Sequence, residues 1–232
     1  MTLMREDTQE KRWGDPMPPA LSLYEDGLSN DAGVSLPARP RMILVQHGSI
    51  TVAGRVLRDD EAWGGEDAVT LKAGAHGAAI WRWELIAGGA GERAPAAAGV
   101  SSREKLSARL DTVPTGPLLL RSDSVAFPPG GCAYLHRHQG PGIRCLVEGG
   151  FRIDSAGRST CYAPGGAWYE DGPEPVFAQA ADRPTRFVRV MLLPRSYLGK
   201  SSVEYLREED KAKPKSQQYK IYVDMPIAFV AA

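Results

Sequence analysis

The sequence predicts an all-β protein, a sandwich or barrel of short strands. Glycine and proline are abundant, 25 and 18 in 232 residues, and both residue types interrupt strands and form turns. Strand-length apolar runs recur at short spacing and are separated by Gly, Pro, Asp and Asn, which is typical of sandwiches and barrels. Helical spacing of apolar residues is scarce, and its best example is 101–113, where Leu106, Leu110 and Val113 lie near one helical face. This segment is predicted to be a short helical connector.

The first half of the chain is predicted to hold an arm and one β unit. Residues 1–40 carry five prolines and little periodicity, and they are predicted to form an irregular N-terminal arm. Strand-like runs follow between 41 and 86, and a glycine-rich loop is predicted over 88–99. Together with the connector helix, they define a predicted unit over 41–115.

A second series of strand-like runs occupies 116–196. It includes CAYLHRH, IRCLVEGGFRIDSAG, RSTCYAPGGAWYEDG and RFVRVMLLP. The last segment, 197–232, mixes charged residues with the strand-like YKIYVDM. That strand could extend this barrel or a twin subunit, or the whole segment could be a solvated extension.

The two strand series resemble each other. ILVQHGSITVAG (43–54) lines up with CLVEGGFRIDSAG (145–157), and a second match places Trp63 opposite Trp168. The offset drifts by only a few residues, as loop insertions between repeats would produce. Duplication of one β unit explains both matches, and chance similarity between two strand series is the alternative.

Charge and cysteine content narrow the class of protein. Lysine plus arginine equal aspartate plus glutamate, 28 against 28, which argues against nucleic acid or an anionic membrane as the main partner. Cys132, Cys145 and Cys161 are odd in number and form no CxxC, so buried reduced thiols are expected. The charged N-terminus has no apolar core of a signal peptide, and no apolar run approaches a membrane span. A cytoplasmic protein is predicted.

The sequence HRH, with His136 and His138, is the strongest candidate for a functional site. On a strand, residues two apart point to the same face, so the two imidazoles would project side by side with Arg137 on the other face. Neutral imidazoles in that arrangement can share one divalent metal ion. The alternative is a pair of half-buried histidines that bond to their neighbours.

Two segments resemble the conserved motifs of the cupin superfamily: GCAYLHRHQGPGIRCLVEGG the first motif and GRSTCYAPGGAWYE the second. The matching residues are Gly130 or Gly131, His136, His138 and Gly150 in the first motif, and Gly157, Pro164 and Gly166 in the second. The resemblance covers 118–193 well and 41–86 weakly, through the repeat. It implies a jelly-roll β-barrel of cupin type in two imperfect repeats, the first degenerate, with a divalent iron, manganese, zinc or nickel ion inside. It also implies a homodimer.

Two expected metal ligands are missing from these motifs. Ile143 stands where the superfamily has a glutamate, and Tyr169 stands where it has a histidine. Glu170 could complete a set of two histidines and one carboxylate if its strand shifted by one residue. Tyr169 could instead serve as a phenolate ligand or proton donor, or no third protein ligand exists.

Other polar residues carry weaker predictions. Arg144 could bind a substrate carboxylate in bidentate fashion. Simple alternation would point Arg144 and Glu148 away from the histidines, unless a bulge near QGPG reverses the parity. His47 and His76 are predicted to be loop histidines, so the first repeat is predicted to be a structural or partner-binding half.

Two functions follow from these predictions. The first is a metal-dependent enzyme that acts on a small carboxylate-bearing molecule. In it, His136, His138 and Glu170 hold the metal, Tyr169 is the alternative ligand or proton donor, and Arg144 orients the substrate. The second is a non-catalytic cupin that binds a small ligand or a partner protein and carries a vestigial metal site. Many chemistries share one fold, so the sequence leaves the reaction open.

Overall fold

The structure, a computed structural model, describes residues 17–88 and 96–229. Nearly all of its regular structure is antiparallel β-strand, arranged in two successive units. This confirms the all-β prediction. The regular structure outside the strands consists of a 3₁₀ turn at Arg195–Tyr197 and one short helix, α1, at Glu208–Ala212.

The first unit is a seven-stranded sheet that contains two long strands. Its strands are β1 (Ala20–Leu28), β2 (Gly33–Leu36), β3 (Arg41–Val52), β4 (Arg55–Arg58), β5 (Ala62–Gly65), β6 (Val69–Ile86) and β7 (Val100–Arg109). The main order is β4-β3-β6-β1-β7, with β2 paired to β6 and β5 paired to β3. Register shifts within the β3–β6 pairing let these strands bend. β3 therefore pairs with β5 along its first half and with β4 along its second half.

The second unit contains two five-stranded sheets. Its strands are β8 (Leu118–Phe127), β9 (Cys132–His138), β10 (Gly142–Glu148), β11 (Phe151–Ser155), β12 (Arg158–Tyr162), β13 (Ala167–Glu170), β14 (Val176–Ala180), β15 (Thr185–Pro194), β16 (Val203–Tyr205) and β17 (Gln218–Ile227). One sheet has the order β13-β10-β15-β8-β17, and the other has the order β12-β11-β14-β9-β16.

The strand pairings of the two units match, which supports the internal repeat. β3 pairs with β4, β5 and β6, just as β10 and β11 together pair with β12, β13, β14 and β15. β1 lies between β6 and β7, just as β8 lies between β15 and β17. The long β3 and β6 of the first unit therefore correspond to pairs of shorter strands in the second.

The prediction of an irregular arm over 1–40 is wrong for its second half, because β1 and β2 lie there. β1 is an interior strand of the sheet, and Leu21 and Leu23 belong to the core between the units. The prolines at 16, 18 and 19 obscured a strand pattern that starts immediately after them. Residues 1–16 lie outside the described part of the chain, so the rest of the arm prediction is untested.

The predicted helix over 101–113 is also wrong, because most of this segment is β7. Leu106, Ala108 and Leu110 lie two residues apart and all pack against the core between the units. This spacing of two residues fits a strand, and the structure follows it rather than the helical spacing of Leu106, Leu110 and Val113. Of the predicted loop over 88–99, residues 89–95 lie outside the described residues.

Three large apolar cores organise the molecule. One fills the first unit and includes Ile43 and Ile80, and another fills the second unit and includes Phe151 and Trp168. The third lies between the units and joins Trp83 of the first to residues of β8, β10 and β15. One sheet of the second unit therefore has its outer face buried against the first unit and its inner face turned to its own barrel.

The C-terminal extension completes the second barrel. β16 pairs with β9, and β17 pairs with β8, so each adds an edge strand to one of the two sheets. The strand predicted in YKIYVDM thus joins the barrel of its own chain. The domain boundaries at 40, 115 and 196 otherwise stay predictions.

The cysteines and helices bear on the predicted compartment. Cys132, Cys145 and Cys161 are free, and Cys161 is exposed, contrary to the prediction that all three are buried. No helix within 17–88 and 96–229 has the length and apolar character needed to cross a membrane. A cytoplasmic location and a homodimer stay predictions.

Candidate functional site

The two histidines of HRH lie side by side inside the second barrel. β9 places His136 opposite Val176 of β14 and Tyr205 of β16. His136 and His138 are both buried, and their ring centroids are 4.9 Å apart with nearly perpendicular planes. The Nδ1 atom of His136 lies 2.7 Å from the carbonyl oxygen of Tyr134. This contact fixes the ring of His136.

Arg144 faces the histidines, and the prediction by alternation that it faces away is wrong. Its neighbour Ile143, the residue at the missing glutamate position, packs instead into the core between the units. Between β9 and β10 the chain crosses from one sheet to the other, so the alternation of β9 does not continue into β10. The guanidinium of Arg144 is almost fully buried and donates to the carbonyl of Gly142 at 2.6 Å.

Glu170 also points into this group. The Nε1 atom of Trp168 donates to its Oε1 atom at 2.8 Å. The other carboxylate oxygen, Oε2, lies 2.8 Å from Nη2 of Arg144 and 3.4 Å from Nε2 of His138. One oxygen of Glu170 thus contacts both a guanidinium and an imidazole.

Tyr169 is not brought to the histidines. It packs against the core between the units, and its hydroxyl donates to Oδ1 of Asp171 at 2.9 Å. Burial and the neighbouring Asp171 raise the pKa of Tyr169 above its ordinary value. A phenolate at this position is therefore disfavoured, and its side chain lies on the wrong face of β13 for contact with His136 or His138.

A second buried ion pair, between Arg189 and Asp123, borders the histidines. Nε of Arg189 lies 2.7 Å from Oδ1 of Asp123, and Nη2 lies 3.1 Å from Oδ2. Asp123 was not predicted from the sequence to belong to a site. The sequence does carry an indication of its role: Asp123 is an acidic residue within the strand-like run LLLRSDSVAF, and a charge buried there needs a partner of opposite charge.

Both histidines are expected to be neutral at pH 7. Burial lowers the pKa of His136, although Glu170 acts in the opposite direction. Burial, followed by the charges of Arg144 and Arg189, lowers the pKa of His138 well below its ordinary value. Burial also lowers the pKa of Arg144 to about 10, so its guanidinium stays charged at neutral pH.

The hydrogen bonds of this group are incomplete. Nη2 of Arg144 and Oε2 of Glu170 form their ion pair without a hydrogen bond of ordinary geometry. The backbone of Ser202 lies near His138 and acts to raise its pKa. Even so, Nδ1 of His138 makes no hydrogen bond of ordinary geometry. These atoms border a cavity of about 20 Å³, which has room for one water molecule.

The arrangement does not fit a divalent metal ion. Two neutral histidines and a carboxylate are a suitable donor set, but the carboxylate of Glu170 is already paired with a guanidinium. Within 17–88 and 96–229, no group of three or more His, Cys, Asp or Glu side chains is placed to hold a metal ion. The predicted metal site is therefore present in its residues but not in a metal-binding arrangement.

A larger pocket of about 340 Å³, called here the outer pocket, adjoins the small cavity. The two share Arg189, Val203 and Tyr219 as lining residues. The outer pocket is lined by Arg121, Asp123, Arg189, Lys200, Lys215 and Tyr219, among others. Four of these side chains are cationic. Arg121 and Arg189 are paired with Asp224 and Asp123, which leaves Lys200 and Lys215 as the net positive charge that favours an anion.

Comparison with known proteins shows similarity at the level of the fold. No family model matches the sequence, and no curated protein matches it significantly. A Lactobacillus farciminis oxalate decarboxylase in complex with formate superposes with a TM-score of 0.61 at 12% identity, over 83% of this chain and 82% of that one. A deletion variant of Bacillus subtilis oxalate decarboxylase gives a TM-score of 0.59 at 12% identity, over 83% and 73%.

These oxalate decarboxylases are bicupins, and the match extends over both units of this chain. Identities of this size establish the architecture and leave the activity open. The structural match and the repeated strand pairings together confirm the fold that the two motifs predicted. The chain has the bicupin fold, with the histidine pair in its second barrel.

Proposed function

We propose that the second barrel binds a small carboxylate-bearing molecule in the outer pocket and does so without a metal ion. The charge of the outer pocket is the observation that carries this proposal. Arg121 and Arg189 are paired with Asp224 and Asp123, so the net positive charge of the lining comes from Lys200 and Lys215. An anion entering the pocket therefore gains a favourable potential before it makes any specific contact.

Most of these cations are already held in place. Arg121 pairs with Asp224 at 2.9 Å, and Arg189 pairs with Asp123. Lys215 donates to backbone carbonyls, including that of Lys213 at 2.6 Å. These contacts hold the side chains in place, which reduces the entropy lost when a ligand binds.

Lys200 is the most available of the four cations. It is exposed, and within the described residues its ammonium group makes no ion pair. It can therefore turn toward a carboxylate without breaking an existing contact. Lys200 is the side chain whose charge should matter most for ligand affinity.

The rest of the pocket suits an apolar ligand body. Tyr205, Tyr219 and Ile221 line it, and Tyr219 and Ile221 are about half exposed, at 49% and 57%. Large apolar side chains left open to solvent beside cationic groups are typical of a binding site. The proposed ligand thus has one anionic end and one apolar or aromatic end.

Isothermal titration calorimetry with benzoate, oxalate and the neutral analogue benzamide tests this proposal. Oxalate is included because the structural neighbours act on it. We expect a carboxylate to bind and benzamide not to bind. Lys200→Glu should weaken carboxylate binding about tenfold, equivalent to about 1.4 kcal/mol.

Lys72→Glu is the matched control, because Lys72 is exposed on the first unit and undergoes the same change of charge. It should leave the affinity unchanged. Equal binding of benzoate and benzamide, or equal effects of the two variants, would contradict the proposal. So would the absence of binding by either carboxylate at millimolar concentration.

A metal-dependent enzyme is the second candidate, and one contact favours it. Oε2 of Glu170 lies 3.4 Å from Nε2 of His138, so a carboxylate is within reach of the histidine pair. Elemental analysis of protein purified without chelator separates the two candidates. Stoichiometric iron, manganese, nickel or zinc that is lost in the double variant His136→Ala/His138→Ala would favour the enzyme.

A further inference from the structure

We propose that Arg144 supplies a permanent cation in place of a metal ion in the second barrel, and that its guanidinium keeps a latent metal site closed. The latent ligands are His136, His138 and Glu170. This inference goes beyond the proposed ligand site in the outer pocket and does not depend on it.

The contacts of Glu170 place the cation next to the histidines. The same oxygen, Oε2, faces Nη2 of Arg144 at 2.8 Å and Nε2 of His138 at 3.4 Å. His136, His138, Arg144 and Glu170 all line one cavity of about 20 Å³. The guanidinium therefore borders the same cavity as the three latent ligands and holds the carboxylate oxygen that a shared metal would need.

The local charges are balanced without a metal ion. Arg144 is neutralised by Glu170, and Arg189 is neutralised by Asp123 through two contacts. A divalent ion would add two positive charges beside two buried guanidinium groups, with no carboxylate left to compensate. The wild-type protein should therefore reject such an ion, even though the histidines are neutral and can donate lone pairs.

Removing the guanidinium changes this balance. Glu170 would lose its partner and leave a buried negative charge beside two neutral imidazoles. Two histidines and one carboxylate are a known donor set for divalent transition metals. The volume released by the shorter side chain would also enlarge a cavity that now has room for one water molecule.

Equilibrium dialysis against Co²⁺, followed by elemental analysis and visible spectroscopy, tests the inference. We expect Arg144→Met to retain about one Co²⁺ per chain and to show ligand-field absorption. The wild type and Arg144→Lys should retain only background metal, because both keep a cation at this position. Adding Glu170→Gln to Arg144→Met should abolish retention of the metal.

Several results would overturn the inference. Stoichiometric Co²⁺ on the wild type, lost in His138→Ala, would show that Arg144 does not close the site. A folded Arg144→Met variant that binds no Co²⁺ would show that no latent site exists. If Arg144→Met lowers the circular dichroism of the fold, Arg144→Gln replaces it, since glutamine is polar and can still bond to Glu170.

The test is independent of the outer pocket. Carboxylate binding there uses Lys200 and its neighbours, and it should be retained in Arg144→Met within about twofold. If Arg144→Met retains no Co²⁺ but still binds a carboxylate in the outer pocket, only the present inference is contradicted. Loss of ligand binding in the wild type would contradict only the proposed function.

Discussion

The two units share one topology and differ in how they treat buried charge. The first unit buries Asp26, Arg41, Arg82 and Glu84, and the second buries Asp123, Arg144 and Arg189 beside Glu170. Each set contains two acids and two arginines. The second set lies beside two histidines and borders a cavity. Among the described residues, it alone of the two sets leaves buried side-chain atoms without hydrogen bonds of ordinary geometry.

In the first unit the charges are closely paired. Nε of Arg82 lies 2.7 Å from Asp26, Nη1 of Arg82 lies 2.9 Å from Glu84, and Nε of Arg41 lies 3.0 Å from Glu84. Arg41 also donates to the backbone carbonyls of Pro37 and Asp67. None of these side chains has an unpartnered buried atom among the described residues. This network has the properties of a structural element.

Cross-strand register shows what replaces the second site in the first unit. Ile43 pairs with Trp63 and Arg82, whereas Arg144 pairs with Trp168 and Arg189. Ile43 therefore occupies the position of Arg144. Two residues earlier, the partner of Arg41 is Gly65, while the partner of Gly142 is Glu170. The first unit thus lacks both the central cation and its carboxylate.

The largest expected effect comes from removing one acid from each set. Glu84→Gln should lower the free energy of unfolding by about 3–5 kcal/mol, because it leaves the buried guanidinium of Arg41 without its counter-charge. Glu170→Gln should cost less, about 1–3 kcal/mol, because Arg144 keeps its bond to Gly142 and water can enter the cavity. Urea denaturation followed by circular dichroism measures both.

Glu148→Gln is the control for this pair of variants, since Glu148 is exposed and its ion pair with Arg186 is on the surface. It should change the free energy of unfolding by no more than about 0.5 kcal/mol. If Glu170→Gln cost as much as Glu84→Gln, the second cluster would be as structural as the first. The distinction between the two units would then fail.

The histidines should make the second unit sensitive to acid in a range where the first is not. The pKa values of His136 and His138 are lowered in the folded protein, chiefly by burial, with Arg144 and Arg189 adding positive charge nearby and Glu170 opposing them at His136. The unfolded chain therefore binds more protons below about pH 6.5. The free energy of unfolding should fall as pH drops from about 6.5 to 5, by up to about 1.4 kcal/mol per pH unit for each histidine.

Denaturation curves at several pH values measure this slope. The double variant His136→Gln/His138→Gln should flatten it, whereas His47→Gln/His76→Gln should not, because those histidines are exposed. An unchanged slope in the first double variant would mean that the buried pair does not control the acid sensitivity.

Part of this comparison could be predicted from the sequence. Apolar runs, turn residues and the Trp63–Trp168 match predicted the repeated all-β fold, because side-chain alternation and turn chemistry are local properties. The HRH pair was also identified, since spacing two residues apart fixes a shared face and needs only the strand period. Glu170 was identified as a candidate ligand only on the condition that its strand shifted by one residue.

The direction of Arg144 and the role of Asp123 could not be predicted in this way. The alignment placed Ile43 opposite Cys145, one residue away from its structural counterpart Arg144. A slip of one residue reverses every side chain of a strand. The partner of Asp123 is Arg189, 66 positions later, and only the cross-strand register of β8 and β15 brings them together.

The smallest expected effect concerns Asp60, the residue through which the turn after β4 contacts the second unit. Its carboxylate lies 2.7 Å from Arg186, 2.6 Å from the hydroxyl of Tyr222 and 2.8 Å from Lys220. Burial alone would raise the pKa of Asp60, but these three contacts outweigh it and lower the pKa to about 2.

The contribution of Asp60 should therefore be present above about pH 4 and be lost as pH falls toward 2. Asp60→Asn should cost about 1 kcal/mol at pH 7, since partial exposure screens the charges, and much less at pH 2, where about half of the Asp60 carboxyl is protonated. Asparagine tolerates the positive φ of this position, so backbone strain does not confuse the result. Asp59→Asn, at an exposed neighbour, is the matched control, and equal costs at pH 7 would show that Asp60 does not couple the units.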